Sequence, residues 1–254
     1  METRINYSHY ESEILNLKVG RCVTEQLDIN SFNKQLTEEA YDLIRLTVAS
    51  DDEFIIDKLY SAGIPYFFAA GITRYKTAIE RIPVAPYINE GIEFVEFDGT
   101  QTQLLYDMIK ATLGNYPIGY FRTPILKEII SKEMEIEVLY EFYKFNNLKT
   151  NNINNSMMFI KHQENFVGYF ALNILPDRLE SHIGGIREPF RTNGYFVDMQ
   201  EFIKRYCIQN QLTYFCFGAR NENSRAQHIF QKYGYQRESM EYVFHLPLFL
   251  STKK

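Results

Sequence analysis

The stretch from Leu179 to Phe202, LESHIGGIREPFRTNGYFVDMQEF, constrains this chain more than any other. It reads as a strand ending in a Gly pair, a short turn, and a glycine-punctuated loop that opens a helix. Helix N-termini leave backbone N–H groups unpaired and carry partial positive charge, so a loop of exposed amides leading into a helix attracts phosphate oxygens. Arg191, Thr192, Asn193, Gly194, Tyr195 and Phe196 sit at that junction. They are the candidate residues for gripping a diphosphate.

A second stretch, Asn223 to Tyr235 (NSRAQHIFQKYGY), reads as a helix opened by Asn223 and stopped by Gly234. The two helices are separated by a strand expected from Leu212 to Phe217, and a last strand is expected from Met240 to His245. In that order the stretches resemble motifs A and B of the GNAT superfamily of acyl-CoA-dependent N-acyltransferases, whose Gln/Arg-x-x-Gly-x-Gly/Ala loop wraps the pyrophosphate of coenzyme A. Arg191 and Gly194 match that loop, and Phe196 stands where a small residue is usual. The resemblance implies an α/β (α+β) GNAT fold with a mixed central sheet flanked by helices. Its co-substrate would be acyl-CoA, held by residues 191–196, Gly184, Ile186, Asn223 and Phe230.

The remaining composition narrows the partners. The formal net charge of −5 excludes a broad basic surface for nucleic acid. Nineteen Tyr and twenty Phe, with no Trp, imply an aromatic-rich core. Three cysteines (Cys22, Cys207 and Cys216) and five histidines show no metal-ligand spacing, so no metal is expected. The odd cysteine count fits a reducing cytoplasm, and no apolar run of the ~18 residues that span a membrane is present.

Taken in order, Ile14 to Cys22 reads as a strand and Phe32 to about Ala49 as a helix capped by Ser31. Glu53–Tyr60 and Ile64–Ala70 read as short strands. Pro83 and Pro86 break the pattern. A boundary at residues 85–91 would divide a small N-terminal α/β domain (1–88) from a second domain (89–254). From Ile92 the order is strand, helix (Thr102–Leu113), helix (Ile129–Phe145), hairpin (Ser156–His162 and Phe166–Leu175), then the organising strand. Between the two helices lies NYPIGYFRTPILKE, too rich in Pro and Gly for regular structure and projecting Tyr116, Tyr120, Phe121 and Arg122. The Asn-rich NLKTNNINNS reads as a loop.

Within the superfamily the chain resembles the nucleotide-sugar N-acyltransferases of the dTDP-fucosamine type. HYESEILNLKVGR near the N-terminus, and YFRTPILKE followed by LYEFYKFNNL, carry this likeness. It implies a dTDP-amino sugar as partner, gripped by the N-terminal domain and the aromatic loop, and a homodimer. A nucleotide diphosphate needs a flat surface and a cation, which Tyr120 or Phe121 beside Arg122 would supply. The alternative is that these aromatics pack the loop and Arg122 caps a helix.

Amide formation from a thioester needs an oxyanion donor and a deprotonated amine. In the resemblance Gly184 falls at the carbonyl-binding position and Ile186 at the one bonding the pantetheine arm. Gly184 and Gly185 lack Cβ atoms and allow close approach to the backbone, or they form a β-bulge. Regular alternation would place Glu180, His182, Gly184 and Ile186 on one face, so either Glu180 or His182 can take the amine proton. Phe230 stands where many GNAT members carry a Tyr acid. The expected function is transfer of an acetyl or 3-hydroxybutanoyl group from acyl-CoA to the amine of a dTDP-linked 3-amino- or 4-amino-dideoxy sugar, for surface polysaccharide. The alternatives are a peptide or small free amine as acceptor, or a non-catalytic acyl-CoA sensor.

Overall fold

A computed structural model describes residues 3–82, 84–113, 119–148 and 155–250; at residues 121, 145–148, 155, 182 and 183 it describes the backbone alone. Pro83, Tyr116 and most of the Asn-rich stretch therefore lie outside the described residues. The first part of the chain forms β1 (Ile5–Tyr7), α1 (His9–Leu15), β2 (Val19–Thr24), α2 (Ile29–Glu38), β3 (Leu43–Ala49), α3 (Ile55–Ser61) and β4 (Phe67–Ala78). The rest forms β5 (Ile92–Glu96), α4 (Thr102–Leu113), α5 (Lys132–Leu148), β6 (Asn155–His162), β7 (Asn165–Ile174) and β8 (Arg178–Ile186). It closes with α6 (Tyr195–Gln209), β9 (Tyr214–Arg220), α7 (Ser224–Lys232) and β10 (Gln236–Pro247).

The described strands make one mixed sheet in the order β1-β2-β3-β10-β4-β9-β8-β7-β6-β5. The last strand enters between two strands of the first part: β10 pairs antiparallel with β3 through Tyr242↔Val48 and with β4 through Tyr242↔Gly71. The sheet thus runs unbroken across the segment at 85–91. Helices cover both faces, so the middle of a strand such as β6 is apolar on both sides, from Met157 to Ile160. Met158 and Ile160 pack with Phe170, Met199 and Ile203 on one side, while Met157 and Phe159 pack with Leu105, Ile109 and Tyr143 on the other.

From Ile92 onward the element order is the one read from the sequence. The N-terminal part differs. Where a strand is expected from Ile14, α1 runs to Leu15 and stops because Asn16 adopts a left-handed conformation, with φ 51°. Asp28, not Ser31, caps α2, accepting from the Asn30 and Ser31 amides at 3.1 and 3.3 Å. That helix ends at Glu38, and LIRLTVA is strand β3, whose Ile44, Leu46 and Val48 alternate into the core. The expected strand at Glu53–Tyr60 is instead helix α3, burying Ile55 and Leu59 at a spacing of four. The Pro- and Gly-rich loop forms two short 3-10 helices, Gly119–Arg122 and Pro124–Glu128.

Candidate functional site

Strands β8 and β9 run parallel, but their pairing covers only Arg178–Ser181 against Tyr214–Phe217. Beyond that, β8 follows β7 to Ile186 while β9 follows β4 to Arg220. The two strands part like the arms of a V. The gap holds a cavity of ≈ 300 Å³ that reaches both faces of the sheet. Phe196, Asn223 and Ala226 line it on the side of α6 and α7, and Gly184 and Gly218 line its sheet edges. Arg21, Arg45, Tyr120, Val138 and Phe142 line it on the side of α5.

The β8 arm carries a bulge. Gly184 pairs with Phe170 and Ser181 with Leu172, so His182 and Ile183 together stand opposite Ala171. The buried Ser181 hydroxyl donates to the Ala171 carbonyl at 3.2 Å, occupying an acceptor that the interrupted ladder leaves free. The extra residue overturns the expected alternation. Ser181, Gly184 and Ile186 share the face of Leu172, Phe170 and Gly168, whereas Glu180 points to the opposite face, beside Arg178 at 3.0 Å. The side chain of His182 lies outside the described residues. A Cβ at Gly184 would stand 2.7 Å from Phe170 Cβ and 2.8 Å from the Tyr169 carbonyl oxygen, so nothing larger than glycine fits.

In the loop before α6, expected from the sequence to hold a diphosphate, Gly194 takes φ 83° as N-cap of the helix, and no side chain caps the first turn. Thr192 and Asn193 are exposed beside it and hydrogen-bond each other at 3.2 Å. Arg191 does not reach out from the loop. Its guanidinium donates to the carbonyls of Ile186 at 3.1 Å and Thr112 at 3.0 Å, tying the loop to β8 and to the end of α4. Tyr195 is buried, its hydroxyl 2.7 Å from His162 Nδ1. The chain before β5 is strapped along the same helix: buried Asp198 accepts from the Ile88 amide at 2.5 Å and from Asn89 Nδ2 at 2.6 Å. Ile186 is buried in the core on the α6 side.

Phe196 sits half-buried against Phe217 and forms part of the cavity wall. Asn223 caps α7, accepting from the Ala226 amide at 3.1 Å while its residue also lines the cavity. Phe230 departs from expectation. It is fully buried, its ring 4.7 Å from Phe217 and 5.3 Å from Tyr235, and it is core rather than cavity wall.

On the α5 side the aromatic loop is turned inward. Tyr120 is buried and its hydroxyl makes a short hydrogen bond to Glu11. Glu11 in turn accepts from Arg21 Nε at 2.6 Å and Nη2 at 2.9 Å. Burial works to raise the Glu11 carboxyl, and the hydrogen bonds and charge of Arg21 outweigh it, holding the group down to about 2. Burial, aided by the nearby Glu11 charge, pushes the Tyr120 phenol well above its usual value. His245 packs on the Tyr120 ring, its Nδ1 2.7 Å from Thr123 Oγ1. Burial, then the charge of Arg45, lowers its imidazole to about 3. Arg122 is ion-paired with Glu222 and donates to the Ala69 carbonyl at 3.3 Å, so it serves the body of the protein. The side chain of Phe121 lies outside the described residues.

Sequence reasoning therefore missed Glu11, Arg21, Arg45 and Ser181. A signal was present for two of them: VGRCV and LIRLT each place a lone arginine inside an apolar strand. Among the described residues, no group of three His, Cys, Asp or Glu is placed to hold a metal ion, and no helix is long and apolar enough to cross a membrane.

No family model matches the chain, and no curated protein matches its sequence. Solved structures do resemble its fold. A functionally unknown conserved protein from Staphylococcus epidermidis is similar over 97% of this chain and 92% of its own, at 12% identity and a TM-score of 0.63. A tandem GNAT protein from the clavulanic acid biosynthesis pathway is similar over 89% and 74%, at 9% identity and a TM-score of 0.59. A GCN5-related N-acetyltransferase from Kribbella flavida is similar over 90% and 81%, at 9% identity and a TM-score of 0.58. At such identities the likeness establishes the architecture, a mixed α/β sheet of the GCN5-related N-acetyltransferase fold.

Proposed function

We propose that this protein transfers an acyl group from acyl-CoA to a primary amine. The observation that carries the reading is the parting of β8 from β9 beside a bulged strand, with the uncapped N-terminus of α6 opening next to it. The α6 amides suit the coenzyme's diphosphate, and the gap suits a thioester approaching Gly184, where a bulge releases backbone N–H groups from the ladder. The amine enters from the α5 side and attacks the thioester carbonyl. A C–N bond forms, the C–S bond breaks, CoA leaves as its thiolate, and the amine nitrogen gives up one proton. Glu180, on the α5 face of β8 beside Arg178, and His182, within the bulge, are the two candidates to receive that proton. Holding the amine against the thioester supplies much of the acceleration in this reading.

The acceptor in this reading is a dTDP-linked 3-amino- or 4-amino-dideoxy sugar and the donor acetyl-CoA or 3-hydroxybutanoyl-CoA. Its support is the sequence resemblance together with a cavity wall that presents arginines on the acceptor side. Thiol release from each donor, offered with a panel of such sugars and with free amines, tests it, the product being identified by mass. Release with one pair is expected. Absence of acyl-CoA binding by calorimetry would overturn the reading, and binding without release from any amine would replace it with a non-catalytic one.

A further inference from the structure

Parallel pairing of β2 with β3 sets Arg21 beside Arg45, and antiparallel pairing of β3 with β10 sets Arg45 beside His245. Cross-strand partners share a face and lie roughly 5 Å apart, so two guanidinium stems rise side by side on the wall of the cavity. Like charges so placed repel unless an anion lies between or beside them. Glu11 meets that need for Arg21 alone, because its oxygens are taken by Arg21 Nε, Arg21 Nη2 and the Tyr120 hydroxyl. Glu135, which lines the cavity, is paired with Lys132 at 3.2 Å. Glu222 is held by Arg122 and lies 4.0 Å from Arg220. Arg45 is half-buried, and its side chain makes no hydrogen bond or ion pair among the described residues.

We infer that Arg45 is an anion-binding residue for the acceptor, selecting amines that also carry a carboxylate or phosphate. This inference rests on the acyl-transfer reading for the word acceptor, while the anion site stands on the pairing of strands and charges. A planar guanidinium facing a cavity without a counterion matches the two oxygens of such a group, and a desolvated site strengthens the bond. The chain as a whole is negative, at −5, so the attraction is confined to this wall and orients the ligand as well as holding it. A sugar nucleotide would present its diphosphate there, an amino acid its carboxylate.

Calorimetric titration of the full chain tests this, with saturating acetyl-CoA present to fill the coenzyme's own phosphate loop. The probes are dTDP, inorganic pyrophosphate and N-acetylglycine, each added to the unaltered protein, to Arg45→Ala and to Lys34→Ala, an exposed cation of α2. At least one probe is expected to bind, with Arg45→Ala weakening it tenfold or more, salt weakening it further, and Lys34→Ala leaving it unchanged. Preference for dTDP and pyrophosphate assigns a phosphate-bearing acceptor, and preference for N-acetylglycine a carboxylate. Equal binding by Arg45→Ala and the unaltered protein, or no binding of any probe, would overturn the inference. Arg45→Gln carries the comparison if the Ala variant does not fold. Should acetyl-CoA itself fail to bind, the acyl-transfer reading falls, and the same comparison on the free chain still decides the anion site.

Discussion

At the scale of single residues the site depends on places where an atom is missing. Gly184 is one: the space a Cβ would need is filled by Phe170 and the Tyr169 carbonyl. Gly184→Ala is therefore expected to cost ~1–3 kcal/mol through overpacking and, in the proposed acyl transfer, to lower thiol release by more than it lowers acyl-CoA affinity, because that reading sets the thioester carbonyl against this strand. Thermal unfolding, together with initial rates at saturating acyl-CoA, checks both halves. The Gly184–Gly185 pair was legible in the sequence as a point of close approach. Which side chains flank it was not, since one extra residue at 182–183 reverses the phase of β8 and sends Glu180 to the far face. Composition carries no mark of such an insertion, because the bulge is defined by what Ala171 pairs with across the strand gap.

Among the elements, α7 shows how a motif residue and a core residue are told apart. Asn223 caps it and meets the cavity, whereas Phe230, two turns on, fastens it to β9 among Phe217, Tyr75 and Tyr235. Phe230→Ala is expected to lose ~3–5 kcal/mol in chemical denaturation, with acyl-CoA affinity near that of the parent wherever the variant is folded. A large loss of acyl-CoA affinity with stability intact would place Phe230 at the coenzyme instead. The elements from β5 to α7 could be read in advance because their apolar periods are set off from one another by Gly, Asn or Pro. In the N-terminal part, seven-residue runs such as LIRLTVA and IIDKLYS are too short for the helical and extended periods to be separated. What decides between them is the neighbour each finds: β3 lies between β2 and β10, and α3 lays Ile55 and Leu59 on the sheet.

Over the whole molecule, two buried titratable groups, His245 and Glu11, make stability depend on acid. His245, held at about 3 against a usual 6.5, stays neutral in the fold. Its contribution is complete above pH 6.5 and is lost as pH falls toward 3, because the unfolded chain takes up the proton first. Glu11, held at about 2 against 4.5, adds a second loss between pH 4.5 and 2. Stability should therefore fall with a slope approaching ~1.4 kcal/mol per pH unit below 6.5 and steepen below 4.5. In His245→Asn the limb between pH 6.5 and 4.5 should flatten whatever the absolute stability, as read from urea midpoints across that range. An unchanged slope would mean that His245 titrates normally in the fold, contrary to the field set by its burial and Arg45.

The sequence by itself determined the order of elements from Ile92 to the last strand, the glycine loop ahead of α6, and the helix opened by Asn223. These are local matters, settled by periodicity and by residues that start or stop a helix. Only the tertiary structure decided that β10 enters between β3 and β4, that β8 and β9 part after Ser181 and Phe217, and that Arg21 and Arg45 stand together above one carboxylate. Each of those depends on which strand lies beside which. Pairing between distant segments is set by the packing of both faces of the whole sheet, and no window of the chain contains it.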